Sequence, residues 1–278
     1  MGKLVLQYGF SMIIYIAILM LIVEVMRKRY RFSSWFWVAT LLTFPLWIIT
    51  GGVSGWFRWV KILSVILPTI ILGFARVANA DNKSGNIWNF LRKGWMLWFL
   101  YGILFLNIAE ATIKDLQMGN YFNALAGIIL CITIPYAPKY WEIENKNNGD
   151  LLVYTTIMWN FLYTTWNMAF VYAEGATFFA SSICILLAAE VYPIIKKRPE
   201  LYVIARVYTL ATHLLVRAII PELFPRIMNS SAWFNPDVMK YWGIANAIIA
   251  LPFVFWHTWQ LHSGQAETKF KRIKTVND

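Results

Sequence analysis

Apolar residues in this chain fall into long runs separated by short polar breaks. Nine runs approach or exceed the roughly 20 residues that cross a bilayer as a helix: about 4–26, 32–50, 62–80, 88–113, 121–137, 151–172, 176–195, 201–219 and 238–261. The breaks carry turn-forming residues, as in Gly51-Gly52, Asp81-Asn82-Lys83-Ser84-Gly85-Asn86 and Asn145-Lys146-Asn147-Asn148-Gly149-Asp150. None is long enough for a soluble domain. The pattern predicts one all-α transmembrane helix bundle of about nine spans over 1–262, followed by a polar, basic tail over 263–278. The first run leads into Arg27-Lys28-Arg29-Tyr30-Arg31 and not into a small-residue cleavage site, so it reads as a retained helix.

Composition agrees with the pattern. Of 278 residues, 59% are hydrophobic and 14% charged, whereas a soluble domain is about a quarter charged. Soluble-enzyme classes are thereby excluded. The formal net charge of +11 would suggest nucleic acid as a partner, but the basic residues gather at span ends, where contact with a lipid bilayer accounts for them. One set of alternate loops carries seventeen Lys and Arg residues, the other set seven, and Arg206 lies within a span. That bias predicts an external N-terminus and a cytoplasmic C-terminus in the cytoplasmic (inner) membrane. Cys131 and Cys184 sit in apolar runs and offer neither a disulfide framework nor a zinc spacing.

Polar residues inside the spans fall on narrow faces. Thr156, Asn160, Tyr163, Asn167 and Glu174 lie within about 60° of one another on the sixth span. Arg206, Thr209, His213 and Arg217 do so on the eighth, Asn246, His257 and Gln260 on the ninth, and Asn107, Glu110 and Lys114 near the outer end of the fourth. Such stripes either glue helices together or line a shared cavity, and their alignment along depth on four helices favours the cavity. Glu190 and Arg206 lie eight residues either side of Arg198, so an antiparallel hairpin predicts an ion pair between them. His213 is a candidate proton relay with Glu110 or Glu174. No metal or cofactor motif is present. HExxH, GxSxG and Walker-type loops are absent from the sequence, and His257 and His262 are poorly spaced for a metal.

Aromatic residues make up 17% of the chain. Trp35, Trp37, Trp56, Trp59, Trp141, Trp233 and Trp259 fit interfacial belts, while Trp98, Trp159 and Trp166 fall nearer mid-span and could wall a pocket. Trp88-Asn89-Phe90-Leu91 recurs as Trp159-Asn160-Phe161-Leu162, a possible duplication. The run 159–174, together with Ala188-Ala189-Glu190-Val191-Tyr192-Pro193 and Lys197-Arg198-Pro199-Glu200-Leu201, resembles an uncharacterised family of bacterial multi-span membrane proteins. The resemblance implies the architecture and transfers no activity or site.

The sequence therefore predicts secondary transport or permeation of a small molecule through a polar, aromatic-walled cavity. The sixth, eighth and ninth spans would build it, with the fourth at its outer end. Asn160, Tyr163, Trp166, Asn167, His213 and Asn246 would bind substrate, and Glu190–Arg206 would latch the inner side. The alternatives are an intramembrane enzyme acting on a lipid or isoprenoid, and a receptor or sensor without flux.

Overall fold

The computed structural model of the protein describes residues 2–263, so the expected basic tail lies outside the described residues from 264 onward. The chain forms a bundle of helices with one small β-hairpin at one end. In order, the elements are α1 (Gly2–Lys28), α2 (Tyr30–Thr40), α3 (Phe44–Ile49), α4 (Trp56–Ala80), α5 (Asn86–Leu91), α6 (Trp95–Gln117) and α7 (Tyr121–Ile132). They continue with β1 (Trp141–Ile143), β2 (Leu151–Val153), α8 (Ile157–Glu174), α9 (Phe179–Lys196), α10 (Tyr202–Ile219), α11 (Leu223–Met228) and α12 (Pro236–His262). A 3-10 turn joins α2 to α3 ahead of Pro45, so the two read as one crossing. Sequence sets the ends of these helices. The Thr156 hydroxyl accepts from the Trp159 amide to cap α8, and the Asn235 side chain accepts from the Asp237 amide before Pro236 opens α12.

Among the described residues, seven helical segments are long and apolar enough to cross a membrane, where the sequence pattern predicts nine. The shortfall lies in the fifth and sixth expected spans. Helix α7 has 12 residues and at 1.5 Å per residue covers about 18 Å, well short of the roughly 30 Å hydrocarbon layer. Residues 151–153, expected to open the sixth span, are instead the strand β2. It pairs antiparallel with β1 in the register Trp141↔Val153, Glu142↔Leu152 and Ile143↔Leu151. The Val153-Tyr154-Thr155-Thr156 run is β-branched and aromatic, which favours extended backbone, and α8 begins only after Thr156. The fourth span is also interrupted. Trp88 to Leu91 belong to the short helix α5, whereas Trp159 to Leu162 lie within the continuous helix α8, so the two WNFL segments take different local structures.

Two buried arginines fasten the hairpin to the bundle. Arg76, near the C-terminal end of α4, is 0% exposed and Asp150, which opens into β2, is 1% exposed. Arg76 donates to the Gly149 carbonyl at 3.0 Å, the Asn148 carbonyl at 3.0 Å, the Met26 carbonyl at 3.0 Å, the Arg27 carbonyl at 2.7 Å and Asp150 Oδ1 at 3.2 Å, and also bonds the Tyr208 hydroxyl. Arg27 pairs with the other oxygen of Asp150 and with Tyr192. The turn brings its backbone very close to α4: Gly149 has φ +59°, and a Cβ there would lie 2.6 Å from the Arg76 carbonyl oxygen. Glycine is required there on both counts.

Trp37 and Trp141, expected in the interfacial belts, are instead buried, at 0% and 2% exposure. Trp35, Trp56 and Trp259 are exposed, as a belt requires.

Removing the carboxylate charge from Asp150 leaves two buried guanidinium groups without a counter-charge. Asp150→Asn should destabilise the protein by about 3–5 kcal/mol, the usual cost of breaking a buried ion pair from one side. Arg31→Gln, which breaks the exposed Arg31–Asp81 pair, should leave the unfolding midpoint almost unchanged. Thermal unfolding of the purified variants checks both.

Candidate functional site

A cavity of about 520 Å³ runs down the middle of the bundle between α4, α6, α8, α9 and α10. Its mouth lies at the end opposite the hairpin, among Arg58, Lys61, Asn107, Glu110, Lys114 and Glu174. Lys61 donates to Glu110 Oε2 at 2.8 Å and to Asn107 Oδ1 at 3.2 Å, and Lys114 pairs with Glu174. The middle of the wall is apolar, with Leu72, Leu100, Leu104, Phe170, Val207 and Leu210. The floor is Trp141 of β1, Leu151 of β2, Tyr163 of α8 and Arg206 of α10, all buried. The hairpin therefore closes one end while the other stays open.

Helix α10 supplies the strongest chemistry. Arg206, Leu210, His213 and Arg217 are spaced by four, three and four residues, which places them on one face, and all four line the cavity. Arg206 is 8% exposed and its guanidinium sits 5.6 Å from the centre of the Tyr163 ring. Tyr163 is itself stacked on Trp159 at 5.3 Å. Among the described residues, the buried Nε and Nη1 of Arg206 have no hydrogen-bond partner. His213 Nδ1 shares a hydrogen bond of 3.1 Å with the Tyr15 hydroxyl, whereas its buried Nε2 has none. Arg217 lies over the Phe178 ring at 3.9 Å.

Of the residues singled out in the sequence, Tyr163, Asn167, His213, Glu110, Glu174 and Arg206 line this cavity. Asn160, Trp166, Asn246 and Glu190 are not among its lining residues. Asn160 receives a hydrogen bond from Thr155 at 2.6 Å and donates to the Pro199 carbonyl, tying the start of α8 to the α9–α10 turn. Asn246 belongs to a chain of amides joining α12 to α7 and α6. It donates to Asn123 Oδ1 at 2.8 Å, and Asn123 donates to buried Asp115 at 2.7 Å. Trp166 packs beside Gly127 of α7, where a Cβ would come within 2.9 Å of its indole nitrogen. The ninth span thus serves as packing, and its place in the cavity wall is taken by α4 and α9.

The expected Glu190–Arg206 ion pair is not formed. Glu190 accepts from Thr164 Oγ1 at 2.8 Å, while Arg206 faces the cavity over Tyr163. The eight-residue symmetry about Arg198 sets equal depth but not azimuth, and the two side chains leave their helices in different directions. Among the described residues, no group of three or more His, Cys, Asp or Glu side chains could hold a metal.

Sequence reasoning missed the contribution of α4. Arg58, Lys61, Ser64, Pro68, Thr69 and Leu72 all line the cavity, and their spacing of three, three, four, one and three residues was a readable helical face.

Two substitutions separate glue from wall. Asn246→Ala should cost about 1 kcal/mol, the usual size of an interhelical side-chain hydrogen bond, without changing access to the cavity. Val207→Trp should cost less than about 1 kcal/mol, because the added ring enters open space and not a filled core, where overpacking costs roughly 1–3 kcal/mol. Thermal unfolding of the two variants reads both costs. No family model matches the chain, and neither does any curated protein or solved structure at the significance required.

Proposed function

We propose that the protein is a membrane carrier that takes a small molecule into this cavity and passes it across the bilayer. The observation that carries the reading is the cavity itself: it is central, open at one end and lined by cationic and polar side chains at its mouth and floor around an apolar middle. Polar groups at membrane depth are costly and tend to mark pathways or binding sites. Tyr163 and Asn167 contact the substrate in this reading, and His213 with Glu110 and Glu174 carries coupled protons. In this reading, which the Lys and Arg bias supports, the mouth faces outside and the hairpin end faces the cytoplasm across the cytoplasmic membrane.

One observation favours a second reading. Nε and Nη2 of Arg76 bond the hairpin at Gly149, Asn148 and Asp150, while Nη1 bonds Met26 and Tyr208 of the surrounding helices. A floor fastened this firmly suits a pocket with a single entrance, as in a receptor or an intramembrane enzyme.

Thiol labelling decides between the two readings. Cys131 and Cys184 are replaced, a single cysteine is introduced as Asn167→Cys, and an impermeant reagent is applied from each side of sealed vesicles. Labelling from both sides is the result expected of a carrier. Labelling from the mouth side alone transfers the function to a receptor or enzyme pocket, and a folded variant that labels from neither side contradicts the cavity.

A further inference from the structure

Three positive charges of the cavity wall have no ion-pair partner among the described residues. Of the five Lys and Arg residues on the wall, Lys61 is neutralised by Glu110 and Lys114 by Glu174. Arg58, Arg206 and Arg217 remain. Arg217 stands near the mouth and Arg206 at the floor, eleven residues or roughly 16 Å apart along α10, with His213 between them on the same face. This arrangement presents a positive potential from entrance to floor, which concentrates anions and repels cations.

The floor is where the charge is least compensated. A guanidinium taken out of water normally requires a counter-charge or a full set of acceptors. Arg76, buried in the same bundle, has both. Arg206 has neither among the described residues: its Nε and Nη1 are buried without a partner, and Tyr163 offers it only a ring face. Glu190, the carboxylate that sequence spacing had assigned to it, is bonded to Thr164. Arg206 lines the cavity floor, so its uncompensated guanidinium is the cation that a carboxylate in the cavity would meet. Seven residues toward the mouth His213 lines the same cavity, and its buried Nε2 has no partner among the described residues. Between them lie the apolar side chains of Val207 and Leu210, facing Leu100, Leu104 and Phe170.

We propose that the cavity binds an amphipathic carboxylate, with the carboxylate against the Arg206 guanidinium at the floor and its apolar body against the wall below His213. The proposal rests on the carrier reading only in taking the cavity as a ligand site, and it supplies the ligand class. Free inorganic phosphate would leave the apolar wall unused. A cationic ligand would meet the unpaired charges of Arg206 and Arg217.

The test uses the full chain in nanodiscs, with Cys131 and Cys184 replaced and Asn167→Cys as the reporter. Labelling is followed with 3-phenylpropionate, its neutral amide, its amine analogue and inorganic phosphate as separate competitors. The carboxylate should protect the thiol at concentrations about tenfold or more below those of the amide, and the amine and phosphate should not protect. Arg206→Gln should abolish that preference and Arg206→Lys should retain part of it. Because the buried Nε and Nη1 of Arg206 make no hydrogen bond among the described residues, Arg206→Gln should melt at the same temperature or higher, the mark of a residue kept for binding at a cost in stability. Equal protection by carboxylate and amide, protection unchanged by Arg206→Gln, protection by phosphate alone, or no protection by any competitor would overturn the proposal. Labelling without competitor is read separately: if the folded Asn167→Cys protein never reacts, the cavity itself is refuted.

Discussion

In the low-dielectric interior of a membrane bundle, a buried charge has to be answered. Much of this fold follows from how three buried arginines meet that requirement. Arg27 and Arg76 are answered by a single carboxylate, Asp150, which reaches them because the chain between α7 and α8 turns back as a hairpin. The hairpin is thus held as the counter-charge of two helices, and its backbone carbonyls complete the coordination of Arg76. Closure of one end of the bundle is a consequence of that pairing. Arg206 is the exception, and the open cavity lies in front of it.

Helix α10 joins the two situations. Tyr208 bonds Arg76 and stacks on Trp37 at 6.3 Å, on the side of the helix that belongs to the closed end. Arg206 and His213 project from the other side into the cavity. Residues two apart on a helix point in nearly opposite directions, so positions 206 and 208 couple the site to the seal through one rigid element. A shift of α10 that altered the grip on a ligand at Arg206 would also disturb the Tyr208 contact beneath it.

Helical periodicity and charge made much of this legible from sequence. The stripes on the fourth, sixth and eighth spans consist largely of cavity-lining residues, because a polar face on a membrane helix has few other places to go. What periodicity could not supply is the identity of the partner. The face carrying Asn246 looks like the face carrying His213, yet one meets the amide of Asn123 and the other lines the cavity. The Glu190–Arg206 pairing failed for a related reason, since equal depth leaves the rotation of each helix undetermined. The hairpin was hidden because Leu151-Leu152-Val153 is as apolar as the start of a span. Only the β-branched residues that follow, and the lone Asp150 before them, marked it as a buried strand.

The central claim is that two arginines buried to a similar degree differ entirely in what surrounds them. Phenylglyoxal modification of the membrane-embedded protein, read residue by residue through peptide mass spectrometry, measures that difference directly. The account predicts that Arg206 is modified through the cavity while Arg76, with every guanidinium nitrogen engaged, stays intact until the protein unfolds. If Arg206 proves as unreactive as Arg76 in the folded protein, it is packed and not exposed to a cavity, and the account fails.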